Sequence, residues 1–322
     1  MTEFRDVIVD TLSRQGEKNM GVTLVSQYGR PLPSWEPGSH ISLRLSNGLT
    51  RQYSLTGKGE DPCRYELCIA RDTASRGGSA FIHDILRPGQ IVQISEPRNY
   101  FPLMPAEKVI LMAAGIGITP LYAMAQALET RGIPFVLHYY LKKYGDAAFI
   151  SELTRPLQHG VCEISYSSEG QSPRNHFPAD LHSPASGTHL YLCGPEGFMA
   201  TMTQNALENG WHSGNIHTEA FRPAEQPEGR AGEDTFTVTL SSSGQHFSVP
   251  ADKSIATVLT ENGIDIPLSC EMGMCGACLT PVESGIVDHR DTVQSDEEKT
   301  GFPQQIALCC SRSHSGNIVI ML

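Results

Sequence analysis

Three thiols stand close together in the run Ser269-Cys270-Glu271-Met272-Gly273-Met274-Cys275-Gly276-Ala277-Cys278. Cysteines at Cys-x4-Cys-x2-Cys, completed by a distant fourth, match the spacing that grips a 2Fe-2S centre, and the glycines let the backbone fold closely around a compact inorganic core. The distant partner is available in Cys309-Cys310, with thirty residues between it and Cys278. Structural zinc favours two short cysteine pairs, and this run does not follow that pattern. Neighbouring side chains of an extended segment point oppositely, so only one of Cys309 and Cys310 is expected to reach iron. Such a centre takes one electron at a time. The rest of the chain must therefore supply electrons and hold their source.

Two other constellations suit that task. In Arg51-Gln52-Tyr53-Ser54 a strand would send Arg51 and Tyr53 to one face and Ser54 to the other. A flat ring system wants an aromatic to pack on, a hydroxyl near a ring nitrogen and a cation for its phosphate; an ordinary strand with a surface arginine is the competing reading. The loop from Arg71 to Ser79 ends in Gly77-Gly78-Ser79 ahead of a helix expected over 78–86. Free N–H groups and the positive dipole end, with Arg71 and Arg76 adding charge, make a place for a phosphate.

Further on, the apolar run Lys108-Val109-Ile110-Leu111-Met112-Ala113-Ala114 leads into Gly115-Ile116-Gly117-Ile118-Thr119-Pro120. A strand, glycine turn and helix here would present backbone donors to a pyrophosphate, with Thr119 as N-cap and Pro120 in the first turn. The next strand, 135–141, ends in Lys142-Lys143 where an acid would bind ribose hydroxyls; a cation there would accept a 2′-phosphate, so the residues leave the coenzyme open. A third strand closes on Cys193-Gly194-Pro195, where Cys193 reads first as a small buried hydrophobe. No Ser-His-Asp order, His-Glu-x-x-His or paired carboxylates stand out, and the 12 histidines are scattered and read as structural or surface residues.

The elements that must position these residues follow from texture. Residues 4–101 show short alternating runs between Gly, Pro and Asn turns, which predicts an antiparallel β-barrel. Residues 107–219 alternate strand, turn and helix, which predicts an α/β domain on a parallel sheet. Residues 222–234, rich in Pro, Glu, Gly and Ala, read as a tether. A hairpin over 235–249 and a helix with start and stop signals over 254–263 outline an α+β β-grasp domain carrying the cysteine loop. The expected division is 1–103, 104–224, a linker 225–234, and 235–322.

The chain has 322 residues, 39% of them apolar, and a net charge of −11, which argues against a nucleic-acid binder. From Glu233 onward there are twelve acidic and four basic residues, a net of −8 that serves solubility or steers this part onto a basic acceptor surface. Residues 109–128 lack any charge and imitate a membrane span, but Gly115, Gly117 and Pro120 break the run, so no membrane association is expected. Nine cysteines in a chain whose start shows no basic-then-apolar signal point to a reducing cytoplasm.

Residues 270–312, with the Gly-Met-Cys-Gly-Ala-Cys core, Asp288-His289-Arg290-Asp291 and Cys309-Cys310-Ser311-Arg312, resemble the ferredoxin domain of the phthalate dioxygenase reductase family, which includes vanillate O-demethylase reductases. The likeness extends over the whole chain in the order flavin, nicotinamide and ferredoxin domain. It implies that Arg51, Tyr53 and Ser54 meet the ring and phosphate of FMN, with Arg71, Gly77, Gly78 and Ser79 at the phosphate. It further implies that Gly115, Gly117, Thr119 and Pro120, a Gly-x-Gly-x-x-Pro variant, bind NADH, with Cys193, Gly194 and Pro195 beside the nicotinamide. Phe221 would lie over the flavin, ordinary core packing being the rival reading. Ser54, Cys193 and Phe221 form the implied catalytic set, and Cys309 joins Cys270, Cys275 and Cys278 on the iron. The implied recipient is a Rieske-type oxygenase docking transiently on the acidic ferredoxin domain.

The three carriers fit together chemically, because a nicotinamide gives up two electrons as hydride, the cluster accepts singles, and a flavin converts between them. Cys309-Cys310 and the lysine pair depart from the family's commonest pattern. Rival functions are a reductase serving a haem monooxygenase, a stand-alone flavin reductase, and a redox sensor; the sensor would need a partner-binding module such as a helix-turn-helix, which the sequence does not show.

Overall fold

A computed structural model describes residues 4–72, 77–174, 177–221, 235–268, 273, 276–291, 293–294 and 296–322. Arg76, the tether at 222–234, Cys270 and Cys275 thus lie outside the described residues. The chain divides into two compact units, Glu3–Phe221 and Arg222–Leu322.

The first unit begins with β1 (Phe4–Gln15), β2 (Asn19–Ser26), β3 (Ser39–Arg44), β4 (Thr50–Thr56), β5 (Arg64–Ala70), the short helix α1 (Gly78–Asp84), β6 (Ile91–Ser95) and β7 (Arg98–Asn99). The strands are antiparallel in the order β4-β5-β2-β1-β6-β3-β7, and β4 also pairs with β3, which closes the sheet into a barrel. Closure leaves the main strands without a free edge. Val7, Val9, Val22, Leu24, Ile41 and Leu43 fill its inside. The turn from β3 to β4 uses Asn47-Gly48, with Gly48 at φ 83°, a conformation that a side chain would oppose.

There follow β8 (Lys108–Ala114), α2 (Ile118–Arg131), β9 (Phe135–Leu141), α3 (Ile150–Leu153), β10 (Gly160–Tyr166), β11 (Thr188–Cys193), α4 (Glu196–Glu208) and β12 (Ile216–Glu219), a parallel sheet in the order β10-β9-β8-β11-β12. The central strand shows why its sequence is apolar throughout. Val109, Leu111 and Ala113 face one core with Leu121, Met124 and Leu128 of α2, while Ile110, Met112 and Ala114 face another with Phe198, Met199 and Met202 of α4. Both faces are covered, so an alternating polar pattern would bury polar groups. The uncharged stretch that imitates a span is strand plus helix. Among the described residues no helix is long and apolar enough to cross a membrane.

The helix start differs from the expectation. A single 3-10 turn, Gly115–Gly117, begins the coil early, so the N-cap of α2 is Gly117 and Thr119 stands inside the helix, its hydroxyl donating to Ile116 O at 3.1 Å. Helix α1 also stops at Asp84, two residues short of the expected end.

Barrel and parallel sheet belong to one unit, and α2 packs against β4. The connecting segment is pinned by Tyr191 on β11, whose buried hydroxyl accepts from Met104 N at 2.8 Å and donates to Pro102 O at 3.2 Å.

The second unit contains β13 (Phe236–Leu240), β14 (His246–Val249), α5 (Ile255–Glu261), β15 (Leu279–Ser284), β16 (Val287–Asp288), α6 (Asp296–Thr300), β17 (Gln305–Ala307), β18 (Arg312–Ser313) and β19 (Asn317–Ile320). The sheet order β14-β13-β19-β15-β17, with β13 and β19 parallel, and α5 packed on it give a β-grasp arrangement. Ser254 caps α5 by accepting from Thr257 N at 3.0 Å.

Tyr191→Phe takes the acceptor from the Met104 N–H and the donor from Pro102 O, at a cost of about 0.5–1.5 kcal/mol per hydrogen bond. A lowered urea midpoint for the full chain, followed by circular dichroism, is the expected outcome; an unchanged midpoint would show that the strap contributes nothing.

Candidate functional site

Parallel pairing of β8 with β11, in register Ala113 to Cys193, brings the two strand ends to one edge of the sheet. There the glycine turn and the Cys193-Gly194-Pro195 turn touch. A Cβ on Gly117 would lie 2.1 Å from the Cys193 carbonyl oxygen, and one on Gly194 would lie 2.8 Å from the Ala114 Cβ. Neither contact leaves room for a side chain. A cavity of about 590 Å³ opens beside them, lined among others by Ala70 and Arg71 of the barrel and by Gly115, Ile116, Leu141 and Pro195. This is the crevice outside the carboxyl ends of the strands, where doubly wound sheets take their ligands.

Cys193 is fully buried, and burial first, then the nearby Glu219 carboxylate, push its thiol well above the ordinary range. It stays neutral at working pH. Phe221 packs, half-buried, against the core cluster that contains Cys193 and Ile118.

Glu219 was not singled out from sequence. It ends β12 directly opposite Cys193, its Oε2 is sequestered and has no hydrogen-bond partner among the described residues, and burial pushes its carboxyl up to about 8. The one available signal is position, a carboxylate at a strand's C-terminal end two residues before Phe221. A carboxyl held neutral at such a place can donate a hydrogen bond.

On the barrel, β4 carries Arg51, Tyr53 and Ser54. The Arg51 side chain crosses the start of α1, for a Cβ on Gly78 would lie 2.7 Å from its Cγ, and its Nη1 donates to Thr50 O at 2.8 Å. Gly77, at φ 91°, makes the turn that brings α1 beneath it. Burial raises the Tyr53 hydroxyl to about 12 against the opposing influence of Arg51, and Ser54 is buried on the other face. Ser79 Oγ accepts from Asp72 N at 3.2 Å, which folds the loop back on itself. Arg71 stands beside the same helix. Its guanidinium makes a two-pronged contact with Asp84, at 2.8 and 3.0 Å, and so braces the last turn of α1 while Arg51 covers the first. A carboxylate in fork geometry satisfies both donors.

In the second unit, β15 pairs with β17 so that Leu279 opposes Ala307, which sets Cys278 beside the segment that holds Cys309. The two sulfurs are 3.2 Å apart. That is too far for a disulfide of about 2.05 Å, and it approaches the ~3.8 Å edge expected for two thiolates on one tetrahedral ion with 2.3 Å bonds. Both side chains are buried, and Gly273 N–H donates to Cys309 Sγ at 3.2 Å. Cys310 Sγ lies 4.0 Å from Ala307 O and 3.8 Å from Ser311 Oγ. The Asp288–Asp291 run ties the loop to the segment after the cysteines, since Ser311 Oγ donates to Asp291 at 3.3 Å and accepts from Arg290 N at 3.1 Å. Buried Arg312 donates to Lys253 O and Pro250 O and stacks 4.9 Å over Phe236.

Residues 238–313 match the family described as "2Fe-2S iron-sulfur cluster binding domain". The chain is 39% identical over 324 residues to the vanillate O-demethylase oxidoreductase of Pseudomonas sp. (strain HR199 / DSM 7063), covering 98% of this chain and 99% of that one. The solved phthalate dioxygenase reductase, titled a modular structure for electron transfer from pyridine nucleotides to [2Fe-2S], is 34% identical with a TM-score of 0.73, over 99% and 98% of the two chains. An intact type IV self-sufficient cytochrome P450 monooxygenase is 34% identical with a TM-score of 0.86, over 99% of this chain but 41% of that one. Barrel, parallel sheet and cluster domain in this order define a flavoprotein oxidoreductase that delivers electrons from a nicotinamide nucleotide to an oxygenase system. The chain belongs to the family of vanillate O-demethylase and phthalate dioxygenase reductases.

The raised carboxyl of Glu219 makes a pH prediction. Its folded-state value of about 8 lies above the ordinary 4.5, so the folded state keeps a proton that the unfolded chain has lost, and stability declines as pH rises through that interval. Glu219→Gln is expected to flatten this decline when thermal midpoints are compared from about pH 5 to about pH 8.5; parallel profiles would show that the carboxyl ionises freely.

Proposed function

We propose that the chain is the NADH-dependent reductase component of a Rieske-type two-component oxygenase, a demethylase or ring hydroxylase, passing electrons from NADH through FMN to its 2Fe-2S centre. In this reading residues 1–103 bind flavin, 104–224 bind NADH, 225–234 link, and 235–322 carry the cluster. The observation that carries it is the junction where Gly117 and Cys193 meet beside a cavity walled partly by the barrel.

Arg51 and the Gly77-Gly78-Ser79 turn hold the flavin phosphate, Tyr53 packs on the ring, and the Ser54 hydroxyl serves a ring nitrogen. Arg71 acts on that site by bracing α1 through Asp84. Gly115, Gly117, Thr119 and Pro120 shape the turn for the pyrophosphate of NADH. Cys193, Gly194 and Pro195 admit the nicotinamide, because a neutral thiol and an absent side chain bring neither charge nor bulk. Glu219 keeps its proton and offers it to the carboxamide, and Phe221 closes the ring pocket. Cys270, Cys275, Cys278 and Cys309 are the iron ligands. The bound flavin supplies the conversion from paired to single electrons.

The names of relatives, a vanillate O-demethylase oxidoreductase and a phthalate dioxygenase reductase, support an oxygenase partner acting on aromatic substrates. The net charge of −8 beyond Glu233 suits transient docking on a basic surface. A reductase for a haem monooxygenase is the second reading, favoured by the likeness to the self-sufficient P450. Reconstitution with each acceptor separates them, and faster turnover of a P450 would overturn the first.

Cys309→Ser is expected to abolish NADH-driven cytochrome c reduction and the visible cluster absorption, while ferricyanide reduction through the flavin continues. Cys310→Ser should keep both. The reverse pair of results would assign the fourth ligand to Cys310.

A further inference from the structure

The far end of the cavity is lined by Lys142, Ser167, Ser172 and Arg174. These residues come together because the short turn Ser167–Glu169 is fastened to the end of β9. Ser168 N donates to Lys142 O at 3.0 Å, and Ser167 Oγ donates to Leu141 O at 3.3 Å. The neighbouring cations are spoken for: Lys18 pairs with Asp146 at 3.0 Å, Arg71 with Asp84, and Lys143 with Glu17. Asp146 also lines the cavity, but its charge is met by Lys18. Lys142 and Arg174 make no ion pair with a carboxylate among the described residues, and both are exposed. Ser172 Oγ accepts from Arg174 N at 3.3 Å, which leaves its hydroxyl proton to be donated.

A dinucleotide whose pyrophosphate rests on the Gly115 turn places its adenosine ribose at the end of the second strand of the sheet, here Leu141-Lys142. At that place an acidic side chain would receive the 2′- and 3′-hydroxyls and repel a phosphate. This chain has instead a point charge, a guanidinium fork and a hydroxyl donor, the set that a phosphate dianion recruits.

We infer that the cavity contains a phosphate subsite, formed by Lys142, Arg174 and Ser172, that receives the 2′-phosphate of NADPH, so that this reductase draws on NADPH as well as NADH. The inference rests on the nicotinamide-reductase reading above and sharpens its choice of donor. Both cations act on the ribose end of the nucleotide, away from the hydride-transfer end at Cys193.

The test uses the holoenzyme with ferricyanide as acceptor. Adenosine 2′-monophosphate is expected to compete with NADH more tightly than adenosine 5′-monophosphate does, and the gap should narrow as salt is added. Lys142→Gln and Arg174→Gln are each expected to lower the ratio of kcat/KM for NADPH to that for NADH by about tenfold, the worth of one charge-assisted hydrogen bond. Equal inhibition by the two monophosphates, or a ratio unmoved in both variants, would overturn the subsite while leaving an NADH reductase intact. A wild-type protein that NADH cannot reduce would instead bring down the reductase reading, and the subsite with it.

Discussion

The contact between Gly117 and the carbonyl of Cys193 is the constraint on which the nucleotide-binding half depends. With 2.1 Å available to a Cβ, any other residue would drive the glycine turn away from the end of β11. The contact forms because β8 and β11 are adjacent and parallel, so their carboxyl ends emerge at the same edge. The apolar faces of β8 in turn fix α2 and α4 on opposite sides, and the crevice opens where those helices part. The barrel closes the third side through Asn19 of β2 and Ala70 of β5. Chemistry here is placement, and the placement is made largely by backbone.

The same economy holds in the second unit. Two short strands set Cys278 next to Cys309, a glycine amide aims at the Cys309 sulfur, and buried polar groups from Asp288 to Arg312 hold the surrounding loops. A charged-group network out of solvent is costly unless its members satisfy one another. Here Asp291, Ser311 and Gln294 do so, which makes the loop a rigid support for a one-electron centre.

Much of this was legible in the sequence because it is written in local patterns. The Cys-x4-Cys-x2-Cys spacing, the uninterrupted apolar strand before Gly115 and the Asn47-Gly48 turn each carry their meaning within ten residues. The arrangement at the glycine turn also followed, apart from the cap: Thr119 has the right chemistry, but the extra turn of Gly115–Gly117 begins the helix before it. Other features depend on residues far apart. Arg71 has the charge for a phosphate, and only the folded chain shows Asp84 within reach of its fork. Glu219 looks like any strand-end carboxylate until register sets it against Cys193 and burial removes its solvent. The histidines His189 and His217 read as scattered, yet on adjacent strands their rings meet through a hydrogen bond between Nδ1 of His189 and Nε2 of His217 at 2.8 Å. Long-range register, rather than residue type, separates what the sequence yields from what it withholds.

The central claim is that reducing equivalents from a nicotinamide nucleotide reach a 2Fe-2S centre within this one chain. Electron paramagnetic resonance of the anaerobic, iron-replete protein after addition of NADH tests it most directly. The account predicts the signal of one reduced 2Fe-2S centre per chain. Oxidation of NADH with no such signal, in protein that holds its iron, would contradict it.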